Sequence, residues 1–180
     1  MTNKSIRILV LSALFAALSC VATLVIQIPS PMNGYVNLGD CFVLLAGWLL
    51  GPVHGTLAAA VGSALADGLT GYMHYVPGTF FIKGLVALIA WALAKALLSR
   101  LGSKRTLCRA ISAIIAELCM VAGYYFYAGL LLGKGLGALG AASSIPGNLV
   151  QGAVGAIAAT LLAHVVDRYR LLHRFGVNEL

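Results

Sequence analysis

Apolar runs separated by short polar or Gly/Pro-rich breaks occupy most of this 180-residue chain. The pattern predicts spans over 6–28, 39–50, 53–70, 77–99, 107–132 and 144–166. About 20 consecutive apolar residues make a helix that matches the roughly 30 Å hydrocarbon core of a bilayer. The second run is shorter, and its twelve residues give only about 18 Å of helix. It either reaches the bilayer rim through the residues before it or forms a hairpin with the third run across Gly51-Pro52. That dipeptide suits a break, because Gly ends helices and Pro starts them. The first run follows Lys4 and Arg7 and has the look of a signal peptide. Its extent, Ile6 to Ile28, instead predicts a membrane helix.

Composition strengthens this picture. Hydrophobic residues make up 61% of the chain and charged residues only 9%, with a mean hydropathy of +0.96. A water-soluble domain carries about 25% charged residues, so that class is excluded. The expectation is an all-α integral membrane protein, a six-helix bundle formed by residues 1–180 as one membrane domain. Ten of the twelve Lys and Arg residues fall in three clusters. Lys4 and Arg7 precede the first span; Lys95, Arg100, Lys104, Arg105 and Arg109 surround the fourth-to-fifth loop; Arg168, Arg170 and Arg174 follow the sixth. Six spans put all three on one side, which the positive-inside rule makes the cytoplasm, with both termini there. The net charge of +7 thus reads as an orientation signal. The opposite loops, 29–38, 71–76 and 133–143, hold Asn33, Asn37, Tyr72, His74 and Tyr75, with Lys134 as their one basic residue.

Motifs for chemistry are sparse. There is no HExxH and no GxSxG. Gly129 to Gly135 resembles a phosphate loop, but the spacing is one residue short and Gly135 stands where Ser or Thr would hold magnesium. Nucleotide hydrolysis by this chain, and enzyme catalysis generally, are therefore not expected; active transport would draw on a partner or an ion gradient. Cys20, Cys41, Cys108 and Cys119 sit in or beside apolar runs as small hydrophobes, without the spacing of a disulfide or metal framework.

The polar residues inside the spans carry the functional signal. Asp67 and Lys83 lie at similar depth with opposite charge, so either they pair structurally or Lys83 contacts a ligand. Glu117 lies about 15 Å into the fifth span, with Tyr124 above it on the same face. The tyrosines within 123–129 form either an interfacial belt or a stacking platform for a ring-shaped ligand. Asn148 and Gln151 share one helix face and either read a neutral polar molecule or join two helices. His74, between Tyr72 and Tyr75, is a further ligand candidate, whereas His54, His164 and His173 near the other ends carry no assignment. Asp40 opens the second span, where a helix N-terminus favours a carboxylate and a capping role. On the first span, Ala13 and Ala17 form one small-residue row and Ser12, Ala16 and Cys20 another, each able to admit a close helix. Spacing alone favours a neighbour within the bundle over a partner protein.

Three segments, YVNLGD (35–40), LLGPVHGTLAAAVGSALADGLTGY (49–72) and YVPGTFFIKGL (75–85), resemble the substrate-binding S components of energy-coupling factor (ECF) vitamin transporters, in the riboflavin- and pyridoxine-type branch. The resemblance covers nearly the whole chain. It implies a multi-pass protein of a prokaryotic plasma membrane that captures a vitamin outside with high affinity. It implies partners: a membrane T component and two cytoplasmic ATPase subunits that hydrolyse the ATP, this chain binding no cofactor or metal. It further implies that the S component topples in the bilayer to deliver its load. The docking face would be Ala13 and Ala17, with Ser12 and Ala16 sharing the role, which reverses the internal-contact reading. The lid would be 29–38, with Asn37 touching ligand as it closes, over a pocket of Lys83, Glu117, Tyr124, Asn148 and Gln151, joined by His74 and Tyr75. Asp40 and Asp67 would be structural. An acid, a base, amides and tyrosines suit a small pyridine or pyrimidine bearing hydroxyl groups, such as a pyridoxine-like or hydroxymethylpyrimidine vitamin, and next riboflavin. The competing reading is a stand-alone carrier that uses Asp67, Lys83 and Glu117 as an ion relay.

Overall fold

A computed structural model describes residues 3–30, 34–102, 104–137 and 139–169. Asn33, Arg170, His173 and Arg174 lie outside the described residues. The elements are α1 (Asn3–Val25), β1 (Gln27–Ser30), β2 (Gly34–Asn37), α2 (Gly39–Leu69), α3 (Val76–Leu101), α4 (Arg105–Phe126) and α5 (Ile145–Arg168). A π-helical turn, Tyr127–Leu131, extends α4, and a 3₁₀ turn, Ala141–Ser144, leads into α5. Among the described residues five helices are long and apolar enough to cross a membrane.

The expected second and third spans form one helical element broken at Gly51, whose backbone (φ +81°, ψ −170°) is non-helical. A residue with a Cβ is strained at that φ, and Pro52 after it has no N–H to continue the ladder. The break turns the chain back on itself. Gly55 lies so close to the Ala46 carbonyl and the Gly47 Cα that a side chain there would collide with them. A straight helix would hold residues 46 and 55 about 13 Å apart.

The all-helical expectation missed one element. The loop at 29–38 contains part of an antiparallel hairpin, in which Gln27 faces Asn37, Ile28 faces Val36 and Ser30 faces Gly34. Four-residue strands are too short to leave a clear period in the sequence, and Pro29 argues against one.

The first half of α2 is the centre of the molecule. Val43, Leu44 and Ala46 are fully buried and Trp48 nearly so, while α1, α3 and α5 also pack on α2. Apolar side chains on the outer faces, including Leu14, Phe81, Leu85 and Ile157, are exposed, as a bilayer solvent permits. On α1 the two small-residue rows separate. Ala16 packs against Gly62 of α2, and Cys20 is buried. Ser12, half-buried, returns its hydroxyl to the Ile8 carbonyl at 2.7 Å. Ala13 and Ala17 face outward. The close neighbour of the inner row is therefore the chain's own α2, which removes Ala16 from an outward docking face.

Candidate ligand-binding site

Under the β1–β2 hairpin the helices part around a half-open cavity, whose empty space together with the open solvent at its mouth is about 560 Å³. Its wall takes Thr23 from α1, Tyr35 and Asn37 from β2, Ser63 and Asp67 from α2, and Tyr75 from the turn before α3. Thr79 and Lys83 of α3, Tyr124 of α4, Ser144, and Asn148 and Gln151 of α5 complete it. The i,i+4 spacings of Ser63–Asp67 and Thr79–Lys83 put each pair on one helix face.

The floor is a connected polar network. Lys83 Nζ forms an ion pair with Asp40 Oδ1, both groups being buried. Gln151 Nε2 donates to Asp40 Oδ2 at 2.6 Å. Gln151 Oε1 accepts from the Asn37 backbone N–H at 2.9 Å and from Asn37 Nδ2 at 3.3 Å. Asn37 Oδ1 in turn accepts from the Gly39 N–H at 2.8 Å. The chain Lys83–Asp40–Gln151–Asn37 ties the hairpin to three helices and leaves few lone pairs idle, which is the condition for a buried charge pair to be tolerable. Space for it comes from α5, where a Cβ at Gly155 would lie 2.7 Å from the Asp40 Cβ. Lys83 also reaches the Met120 sulfur at 3.0 Å and lies 5.4 Å from the Tyr124 ring centroid.

Two expectations are corrected here. Lys83 pairs with Asp40, not Asp67; Asp67 Oδ1 accepts the Tyr35 hydroxyl. Asp40 does not cap α2, whose first N–H is satisfied by Asn37, although its place in the first turn still suits the helix dipole. Burial, followed by the neighbouring Asp67, pushes the Tyr35 phenol upward, so Tyr35 remains a donor at ordinary pH.

Of the residues expected to contact a ligand, Asn37, Tyr75, Lys83, Tyr124, Asn148 and Gln151 line the cavity. Glu117 does not. It is buried behind Gly152, whose added Cβ would lie 2.9 Å from the Glu117 Cβ, and neither carboxyl oxygen has a hydrogen-bond partner. His74 is exposed at the rim, its ring 4.8 Å from that of Tyr75, while its carbonyl accepts from Tyr127 at 2.8 Å. Lys134 donates to the Tyr75 hydroxyl at 2.9 Å. Tyr124 and Thr79 share a hydrogen bond of 3.0 Å. The sequence reading missed Thr23, Tyr35, Ser63, Thr79 and Ser144. Only the two i,i+4 pairs ending in an ionisable residue offered a signal for Ser63 and Thr79.

The wall thus combines hydroxyls, amides, three phenol rings and the Asp67 carboxylate, while Lys83, the cation among its described lining residues, is committed to Asp40. Such a surface can stack an aromatic ring and exchange neutral hydrogen bonds with it.

Comparison with known proteins gives a consistent answer. Residues 3–168 match the family model for the ECF-type riboflavin transporter, S component. An uncharacterised protein of Pyrococcus woesei is 32% identical over 149 residues, covering 82% of this chain and 93% of that protein. The thiamine precursor transporter HmpT of Lactococcus lactis subsp. cremoris (strain MG1363) is 26% identical over 180 residues, covering 97% and 96% respectively. Among solved structures, the S component of a bacterial ECF transporter superposes with a TM-score of 0.68 at 24% identity, covering 92% of this chain and 98% of its own. The S component for biotin from an ECF-type ABC transporter superposes with a TM-score of 0.58 at 19% identity, covering 94% of each. At these identities the structures speak for the fold.

Proposed function

The chain belongs to the family of S components of ECF-type riboflavin transporters, and we propose that it captures a small, uncharged or amine-bearing heterocyclic vitamin, best a hydroxymethylpyrimidine-like thiamine precursor. One observation carries this choice: Lys83, the cation in the cavity wall, is already paired with Asp40. A carboxylated or phosphorylated vitamin entering this cavity would find the lysine of its wall already paired and would meet Asp67. Burying an unpaired anion is costly. A ring bearing hydroxymethyl and amino groups instead meets Tyr75, Tyr124, Asn148 and the hydroxyls. The likeness to HmpT, a thiamine precursor transporter, supports the same reading. A pyridoxine-like ring shares this chemistry. Riboflavin is the second reading, favoured by the description of the family model.

In this proposal the six apolar runs cross the membrane, both termini are cytoplasmic, and the hairpin is an extracellular lid. S components work with ECF modules, and the proposed module is a T component with two ATPase subunits, which hydrolyse the ATP while the loaded S component topples. Ala13 and Ala17 would meet the module, so Ala13→Trp should abolish uptake in cells while leaving ligand affinity within about twofold, a change below 0.5 kcal/mol.

The test is mass spectrometry of the small molecule that co-purifies with the detergent-solubilised chain, followed by titration without ATP. A hydroxymethylpyrimidine bound more tightly than micromolar supports the reading. Liposomes holding this chain alone that accumulate the vitamin on a proton or sodium gradient would favour the ion-coupled carrier instead.

A further inference from the structure

Two oxygens belonging to residues that line the cavity stand apart from the satisfied network. Asp67 Oδ2 and Ser63 Oγ are buried and have no hydrogen-bond partner, although both residues line the cavity and are only 4% and 2% exposed. They lie one helical turn apart on the same face of α2. The other Asp67 oxygen is engaged by Tyr35 from the hairpin. Thr79, which also faces Asp67, shares its hydroxyl with Tyr124 at 3.0 Å and completes no bond to Oδ2. Lys83 is within electrostatic reach of Asp67 but paired with Asp40.

Buried polar groups are ordinarily paired, and an orphan oxygen is destabilising. Two orphans on one wall of a half-open cavity therefore need an external explanation. We infer that Ser63 and Asp67 form a subsite for an amino group on the ligand ring. A carboxylate oxygen can only accept, and a serine hydroxyl can accept as well. An NH₂ group supplies two N–H donors and can satisfy both oxygens at once, whereas a ring hydroxyl supplies one. The carboxylate also strengthens its share of the contact, as charged acceptors do. Because Tyr35 holds the opposite oxygen of the same carboxyl, the subsite lies where the hairpin meets the ligand. This assignment rests on the proposed pyrimidine reading and specifies which edge of the ring is recognised.

The experiment compares two probes in detergent by calorimetry: a hydroxymethyl-methylpyrimidine carrying a ring amine, and the same molecule with hydrogen in its place. Wild type should prefer the amine by about 10- to 100-fold, the consequence of leaving one or both oxygens unpaired. Asp67→Leu should reduce the preference to less than about threefold, and Ser63→Ala should reduce it partially while retaining the carboxylate. A ratio between two ligands on one protein is insensitive to a general loss of folded material. If Asp67→Leu does not fold, the wild-type ratio and Ser63→Ala still decide. Equal affinity of wild type for the two probes, or an undiminished preference in the variants, overturns the amine subsite while tight binding of either pyrimidine leaves the proposed function standing. Failure of wild type to bind either pyrimidine overturns both.

Discussion

Two ion pairs built on buried cations, one at each end of the bundle, show how alike charges can serve different ends. Near the hairpin, Lys83 pairs with Asp40. Near the other end, Arg109 pairs with Asp167 at 2.8 Å. Both cations are buried and both pairs join two helices. Arg109 also donates to the Ala163 carbonyl at 3.4 Å, and its guanidinium lies 5.9 Å from the Trp48 ring. The Trp48 indole N–H is shared between the Ala90 carbonyl and Ser112 Oγ, each at 3.2 Å. None of these residues borders the cavity. The difference is space: Lys83 faces an opening, while Arg109 is packed beneath an aromatic ring. A charge pair on a buried cation alone therefore does not mark a site; its place beside a polar cavity is what makes Lys83 a candidate.

Substitutions can break this contrast, and the largest effect belongs to the cavity pair. Lys83→Met should strand Asp40 and cost about 3–5 kcal/mol, seen as a lower unfolding midpoint in detergent, together with loss of vitamin binding. Arg109→Met should cost less, about 2–3 kcal/mol, because Asp167 is one-fifth exposed and water can take up part of its charge. Its unfolding midpoint should fall while vitamin affinity measured by titration stays within about twofold. An Arg109 variant that folds normally but fails to bind would erase the distinction. Gln151→Ala sharpens it from the other side: the link from Asp40 to the hairpin is lost, and affinity should fall by about 1–3 kcal/mol with a modest change in stability. Unchanged affinity would make Gln151 a purely structural amide.

Much of this was legible in the residues. Apolar runs and Gly51-Pro52 located the helices and the break in α2, because bilayer thickness and proline geometry are local constraints. The candidates Lys83, Tyr124, Asn148 and Gln151 emerged because polar groups in apolar spans are conspicuous. Pairing was not legible. Depth along a helix suggested Asp67 for Lys83, but the choice of Asp40 depends on how α5 approaches at Gly155 and how α3 lies beside the first half of α2. Arg109 read as an orientation charge on a loop edge, yet α4 begins early enough to bury it against α5. Thr23 was invisible for a different reason: a hydroxyl in a membrane helix usually bonds its own backbone, as Thr23 does to the Ser19 carbonyl at 2.8 Å.

The central claim is that the cavity favours ligands without negative charge because its lysine is already spent. Calorimetric titration of the purified chain with a hydroxymethylpyrimidine and with its phosphate ester tests this directly. The account predicts that the phosphorylated compound binds at least about 100-fold more weakly, near 2.7 kcal/mol. Equal or tighter binding of the phosphate ester would contradict it.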